Sequence, residues 1–209
     1  MWTIVVGGGS GERFGRPKQY ESLADGERVI DRSRAVASSV SDGVVVVVPE
    51  ADAERERGVA GGATRSGSVR AGLAQVPADG SVEVVCVHDA ARPLASPELY
   101  RRVVAAVRNG ADAAIPGVAV ADTIKVVDAD GHVVDTPDRS TLVAVQTPQA
   151  FRFDALRRAH AAGGEATDDA SLIEAIGGTV VVVEGDPGNR KITLPDDLDW
   201  ARRTVSEVT

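Results

Sequence analysis

Short β-branched runs alternate along the chain with longer segments of helical period, which points to an α/β domain on a doubly wound, mostly parallel sheet of Rossmann-like type. Two further observations agree. Residues 44–48 and 180–183 are apolar on both faces, as strands covered on both sides by helices must be. The first run, Trp2–Val6, opens directly into Gly7-Gly8-Gly9-Ser10-Gly11, a glycine turn at a strand's carboxyl end, where open α/β sheets take ligands. At roughly 150 residues per domain, the 209 residues form one domain spanning 1–209.

Taken in order, residues 28–40 have a helix-like pattern and 44–48 form the second strand. Helical period returns at 68–76, a strand at 82–87, a helix at 97–109 and a strand at 113–116. Residues 154–162 and 168–176 read as helices and 179–183 as the last strand. A final helix starts near Pro195, since Pro195-Asp196-Asp197 sets a proline and two acids in its first turn. Residues 122–146 break the alternation. Within them, 124–127 and 132–135 flank the turn Asp128-Ala129-Asp130-Gly131, a hairpin signal. A lone hairpin cannot bury its own faces, so this arm is expected to pack on a second chain.

Composition excludes several classes. A net charge of −8 argues against a protein that coats nucleic acid, whose phosphates need a basic face. Cys86 stands alone, so there is no internal disulfide and no cysteine metal cluster, and it reads as a small core residue. With 3% aromatic residues the core must be built from Val, Ala, Leu and Ile. No apolar run approaches the roughly 18 residues of a membrane span, and the chain starts in a strand rather than a signal peptide. The expectation is a cytoplasmic, soluble domain without membrane or nucleic-acid partners. No His/Cys spacing suits a metal. His132 and His160 read as surface residues, and His88 as a hydrogen-bonding residue at a strand end.

The glycine turn is not a P-loop, because no Gly-Lys-Ser/Thr follows at the required spacing. Phe14 stands where a dinucleotide fingerprint needs its last glycine, which weakens an oxidoreductase reading. Alone it is equally a tight strand-to-helix turn. The lysines add information. Only Lys18, Lys125 and Lys191 occur among 23 basic residues, and two of them lie in strand-end loops from which both can reach one polyphosphate. Asp89, at another strand end, is placed either to hold Mg²⁺ through oxygen or to cap a turn. Thr167-Asp168-Asp169 reads as a helix cap.

In sequence order, the glycine loop with Arg13 and Pro17-Lys18-Gln19-Tyr20 begins a longer series. Gly61-Gly62-x-x-Arg65-x-x-Ser68-Val69, Val87-His88-Asp89-Ala90-Ala91-Arg92-Pro93 and Asp122-Thr123-Ile124-Lys125 continue it. Gln146-Thr147-Pro148-Gln149-x-Phe151, Thr167-Asp168-Asp169-Ala170-Ser171 and Asn189-x-Lys191-x-Thr193 complete it. This series resembles the 2-C-methyl-D-erythritol 4-phosphate cytidylyltransferases from residue 4 to about residue 200.

The resemblance implies a homodimeric nucleotidyltransferase of non-mevalonate isoprenoid biosynthesis. It would join CTP to methylerythritol phosphate with Mg²⁺ and release pyrophosphate. Gly7, Gly8, Gly9 and Gly11 would wrap the triphosphate, with Ala90 beside them, while Gly62 and Ser68 would read cytosine. Arg13 and Lys18 would stabilise the reacting α-phosphorus. Asp89, Arg92, Thr167 and Lys191 would surround the metal or the sugar phosphate. Thr123 and Arg139, on the arm, would hold the acceptor phosphate in the neighbouring subunit's site. Gly7-Gly8 replace a usual pair of alanines, Ala63 stands where some members have aspartate, and Val143 where tryptophan is common. The competing functions are a ribitol 5-phosphate cytidylyltransferase, a dinucleotide-binding oxidoreductase, and a dimer that binds nucleotide without turnover.

Overall fold

The computed structural model describes residues 1–9 and 13–208, the last of these by its backbone only. Gly11 therefore lies outside the described residues. The order is β1 (Trp2–Val6), α1 (Val29–Val40), β2 (Gly43–Val48), β3 (Val59–Ala60), α2 (Arg65–Leu73), β4 (Val84–Asp89), α3 (Pro97–Arg108) and β5 (Ala113–Ala119). It continues through β6 (Val126–Val127), β7 (Val133–Asp135), β8 (Val143–Val145), β9 (Gln149–Arg152), α4 (Phe153–Ala161), α5 (Ala170–Ala175), β10 (Val180–Glu184) and α6 (Pro195–Val208).

The main sheet runs β10-β5-β9-β4-β1-β2-β3, with β8 added beside β5. β1 pairs in parallel with β2 on one flank and β4 on the other. The chain thus moves outward from β1 to β3 and then returns across β1 to β4. Strand order reverses at β1, which opens a crevice at the carboxyl ends of β1 and β4.

Two strands differ from expectation. β9, which has no strand signal of its own in the sequence, runs antiparallel between β4 and β5. Its Phe151 lies opposite both Val85 and Ala113 and is fully buried. β10 was expected to be covered on both faces, but it forms the sheet edge, and Val182 is 53% exposed.

Alternation within the strands feeds two cores. Ile4, Val47, Val85 and Phe151 meet Val69 and Leu73 of α2, Leu156 of α4 and Ile173 of α5. Val5, Val46, Val48 and Cys86 meet Ile30 and Ala37 of α1 and Tyr100, Val103 and Val107 of α3. Each fully buried Val, Leu, Ile or Phe among them contributes about 1.5–3 kcal/mol. A third cluster packs Leu198, Ala201 and Val205 of α6 on Phe14, Leu23, Val29 and Ile192. It braces the neighbours of Arg13 and Lys191, so α6 supports the crevice. Gly72 lets α2 press onto the sheet: a Cβ there would lie 2.6 Å from Ile4 Cγ2 and 3.0 Å from Val47 Cγ2.

The arm is present. β6 and β7 pair antiparallel across the Asp128–Gly131 turn, where Gly131 takes φ +85° and donates its N–H to Asp128 O at 3.1 Å. Ile124, Val126, Val127, Val133 and Val134 are exposed. The last part of the span behaves differently: β8 pairs with β5 of the main sheet rather than with the hairpin.

Candidate active site

A cleft of about 720 Å³ fills the crevice. Of the residues singled out from the sequence, Gly7, Gly8, Gly9, Arg13, Lys18, Gly62, Ser68, Asp89, Ala90 and Lys191 line it. Gly7 donates its N–H to Val47 O at 2.7 Å, and Ala90 donates to Val6 O at 2.9 Å, so both turns are pinned to neighbouring strands. A Cβ on Gly7 would lie 3.1 Å from Ile30 Cδ1 and one on Gly8 3.4 Å from Ser68 Oγ. Alanines would fit with only slight movement.

The charges converge on one carboxylate. Lys191 Nζ donates to Asp89 Oδ2 at 2.6 Å, and Arg65 Nε lies 3.6 Å from Asp89 Oδ1. Burial by itself would raise the Asp89 carboxyl, but Lys191 and Arg65 outweigh it and hold the group well below the usual carboxylate range. The Lys18 ammonium is pushed down, first by burial and then by Lys191 and Arg13. Arg13, Lys18, Arg65 and Lys191 therefore face a single acid among the described lining residues. Such a surplus of crowded cations suits a polyanion.

The strand-end loop carrying Asp89 is locked from below. His88 Nε2 lies 3.1 Å from Arg92 O, which can only accept, so Nε2 carries the proton. Nδ1 then accepts from Thr147 Oγ at 3.2 Å, and the same oxygen accepts the Asp89 N–H at 3.0 Å. Burial pushes the His88 imidazole down to about 4, keeping it neutral. The Lys191 loop is tied down by Gln146 and Asn189. Gln146 Nε2 donates to Asp186 O at 2.8 Å, and Asn189 Nδ2 donates to Thr147 O at 2.8 Å.

Other expected residues lie outside the cleft lining. Arg92 is a brace, donating to Asn189 O at 2.7 Å and to Val145 O at 3.3 Å. Thr167 is exposed in the segment between α4 and α5. Thr123 and Arg139 sit on the exposed arm, where Arg139 Nη1 donates to Ala121 O. His160, expected at the surface, is buried, with Nε2 3.0 Å from Asp169 Oδ1. The apolar helix face around it is α4's core face, which the helical spacing of Leu156 and Ala159 already marks.

Among the described lining residues, Arg65 is the charged one given no role from the sequence. It is the first residue of α2, where the helix dipole disfavours a cation, and Asp169 Oδ2 accepts from its Nη1 at 2.6 Å. A cation misplaced against a helix dipole was the available signal. Asp128, Asp130 and His132 approach one another in the arm's exposed turn, but none of them lines the cleft.

A glycine turn at the strand-order reversal, opposed by crowded cations, belongs with the α/β nucleotidyltransferases. Comparison with known proteins narrows this class. The model of the 2-C-methyl-D-erythritol 4-phosphate cytidylyltransferase family matches residues 1–207, and the chain belongs to that family. It is 48% identical over 218 residues to the protein of that name from Rhodococcus opacus, covering 98% of this chain and 95% of the relative. The solved 4-diphosphocytidyl-2C-methyl-D-erythritol synthase of Anaerococcus prevotii superposes with a TM-score of 0.83 at 30% identity, covering 98% of this chain and 97% of that one. The 2-C-methyl-D-erythritol 4-phosphate cytidylyltransferase of Thermus thermophilus gives 0.81 at 32%, covering 98% of each. No described helix is long and apolar enough to cross a membrane.

Proposed function

We propose that the chain transfers the cytidylyl group of CTP to 2-C-methyl-D-erythritol 4-phosphate, forming the CDP-linked product and pyrophosphate in isoprenoid biosynthesis. The observation that carries this reading is the meeting of Arg13, Lys18 and Lys191 with Asp89 beside the Gly7-Gly8-Gly9 turn.

An acceptor phosphate oxygen attacks the α-phosphorus, and the bond to the bridging oxygen of the β-phosphate breaks. The acceptor monoester has its second pKa near 6, so it is already largely a dianion at neutral pH and needs no general base. That fits a cleft whose nearest histidine, His88, is buried and committed to Arg92 and Thr147. The obstacle is repulsion between acceptor and triphosphate, about 4 kcal/mol per unit-charge pair at 4 Å and an effective dielectric of 20. Arg13 and Lys18 offset the charge that builds on the α-phosphate, and the glycine turn offers backbone N–H groups to the triphosphate. Gly62 and Ser68, which line the cleft, read the cytosine edge. Lys191, Thr167 and Arg92 receive the acceptor phosphate together with Arg139 and Thr123 from the arm of a second subunit.

Asp89 fits a Mg²⁺ ion shared with the substrate, because this ion is commonly held by one or two carboxylates plus phosphates. Bound there, it would neutralise phosphate charge and orient the triphosphate. The chain is then a homodimer with shared sites, its exposed arm valines covered by the partner.

Pyrophosphate release tests the reading, with each nucleoside triphosphate crossed against methylerythritol phosphate and ribitol 5-phosphate over a magnesium titration. The fastest turnover is expected for CTP with methylerythritol phosphate. Faster turnover with ribitol 5-phosphate would overturn the acceptor, and turnover indifferent to magnesium would overturn the role of Asp89.

A further inference from the structure

We propose that His160 and Asp169, neither of which lines the cleft, are positioning residues that hold the Arg65 guanidinium and, through it, the Asp89 carboxylate. The inference rests on the cytidylyltransferase reading and extends it to a network behind the site. Asp169 occupies the N-cap position of α5, yet its side chain makes no capping bond. Asp168 does that work, accepting the Ser171 N–H at 3.2 Å. The Asp169 carboxylate, fully buried, turns away from the helix instead. Its Oδ2 accepts from Arg65 Nη1 at 2.6 Å, and its Oδ1 accepts from His160 Nε2 at 3.0 Å. A carboxylate in such a place is costly unless paired and hydrogen-bonded, and here both oxygens are engaged.

The histidine is chosen for one donor. His160 Nδ1 is buried without a partner, whereas an apolar side chain would fill this core position without leaving an orphaned nitrogen. What the ring supplies is the Nε2 proton to Asp169, which leaves Asp169 Oδ2 directed at Arg65. Arg65 also needs an anchor, as a cation in the first turn of α2. The chain His160–Asp169–Arg65–Asp89–Lys191 thus joins α4, α5, α2, the end of β4 and the loop after β10. It sets the α2 wall of the cleft in register with the acceptor side.

The test measures kcat and the KM for each substrate, with melting temperature recorded alongside. The variants are His160→Leu, His160→Gln, Arg65→Ala and the double variant His160→Leu/Arg65→Ala. Wild-type turnover of CTP with methylerythritol phosphate reads the parent reading independently. If that turnover is absent, CTP affinity by calorimetry gives the same comparison among variants. His160→Leu should lower kcat/KM by between about 10-fold and about 100-fold, the penalty for displaced groups at a reacting centre. His160→Gln, which keeps an N–H donor, should recover most of the activity. In the Arg65→Ala background, His160→Leu should cause no further loss, because its effect passes through Arg65. Should His160→Leu fail to fold, isosteric Asp169→Asn takes its place with the same expected loss. Unchanged kinetics in a variant that only melts lower would overturn the proposal. So would losses that multiply in the double variant.

Discussion

Lys18 sits among like charges, with burial, Lys191 and Arg13 all pressing its ammonium toward the neutral form. A polyphosphate relieves that pressure, and the relief grows as negative charge builds at the α-phosphorus. Lys18→Ala should therefore lower kcat by about 2.7–4 kcal/mol of barrier, the range for losing one such donor, while KM for CTP changes little. A raised KM with kcat intact would make it a ground-state binder. His88 carries a stability prediction. Its imidazole falls from 6.5 to about 4 on burial, so the unfolded chain binds the extra proton first as pH drops. This contribution is complete above pH 6.5 and is lost as pH falls toward 4, a difference of about 3 kcal/mol at pH 4. Urea midpoints from pH 7 to pH 4 should fall more steeply for the wild type than for His88→Gln. Parallel slopes would show that His88 does not titrate in this way.

At the scale of elements, β9 joins the two halves of the sheet. Phe151 faces Val85 on β4 and Ala113 on β5, and it packs among Leu156 and Ile173 of α4 and α5. Phe151→Ala should cost about 3–5 kcal/mol of unfolding free energy, as for other deeply buried aromatic residues. Chemical denaturation measures it, and a loss under about 1 kcal/mol would mean the surroundings collapse into the space. Sequence pattern identifies β1, β2 and β4 because they are long, β-branched and flanked by turns. β9 escapes it, since four residues reading Gln-Ala-Phe-Arg carry no alternation and are made a strand only by their two neighbours. β10 errs the other way: four consecutive valines look buried, but nothing in their order says that the sheet ends there.

For the whole molecule, an acidic chain concentrates cations in one cleft and exposes an apolar arm. If Arg139 serves the partner's site, Lys18→Ala and Arg139→Ala homodimers should each be nearly inactive. A mixed dimer has one site with both defects and one with neither. With free exchange half of the dimers are mixed, so about a quarter of wild-type activity should return. No recovery after exchange is verified by differential tags would assign Arg139 to its own subunit.

Sequence by itself determined what local chemistry dictates. The glycine turn after β1, the Asp128–Gly131 hairpin, the helix opening at Pro195 and the ordered motif series all depend on residues close together in the chain. Most of the cleft lining was legible for the same reason, because parallel strands deliver their following loops to one edge of the sheet. Tertiary structure alone decided which distant charges meet. Arg65 and Asp169 are 104 residues apart, as Lys191 and Asp89 are 102, and neither pairing is encoded by spacing. It also decided that His160 is inside and Val182 outside. Burial depends on what the rest of the chain lays against a residue, and that follows from the order of strands in the sheet rather than their order in the sequence.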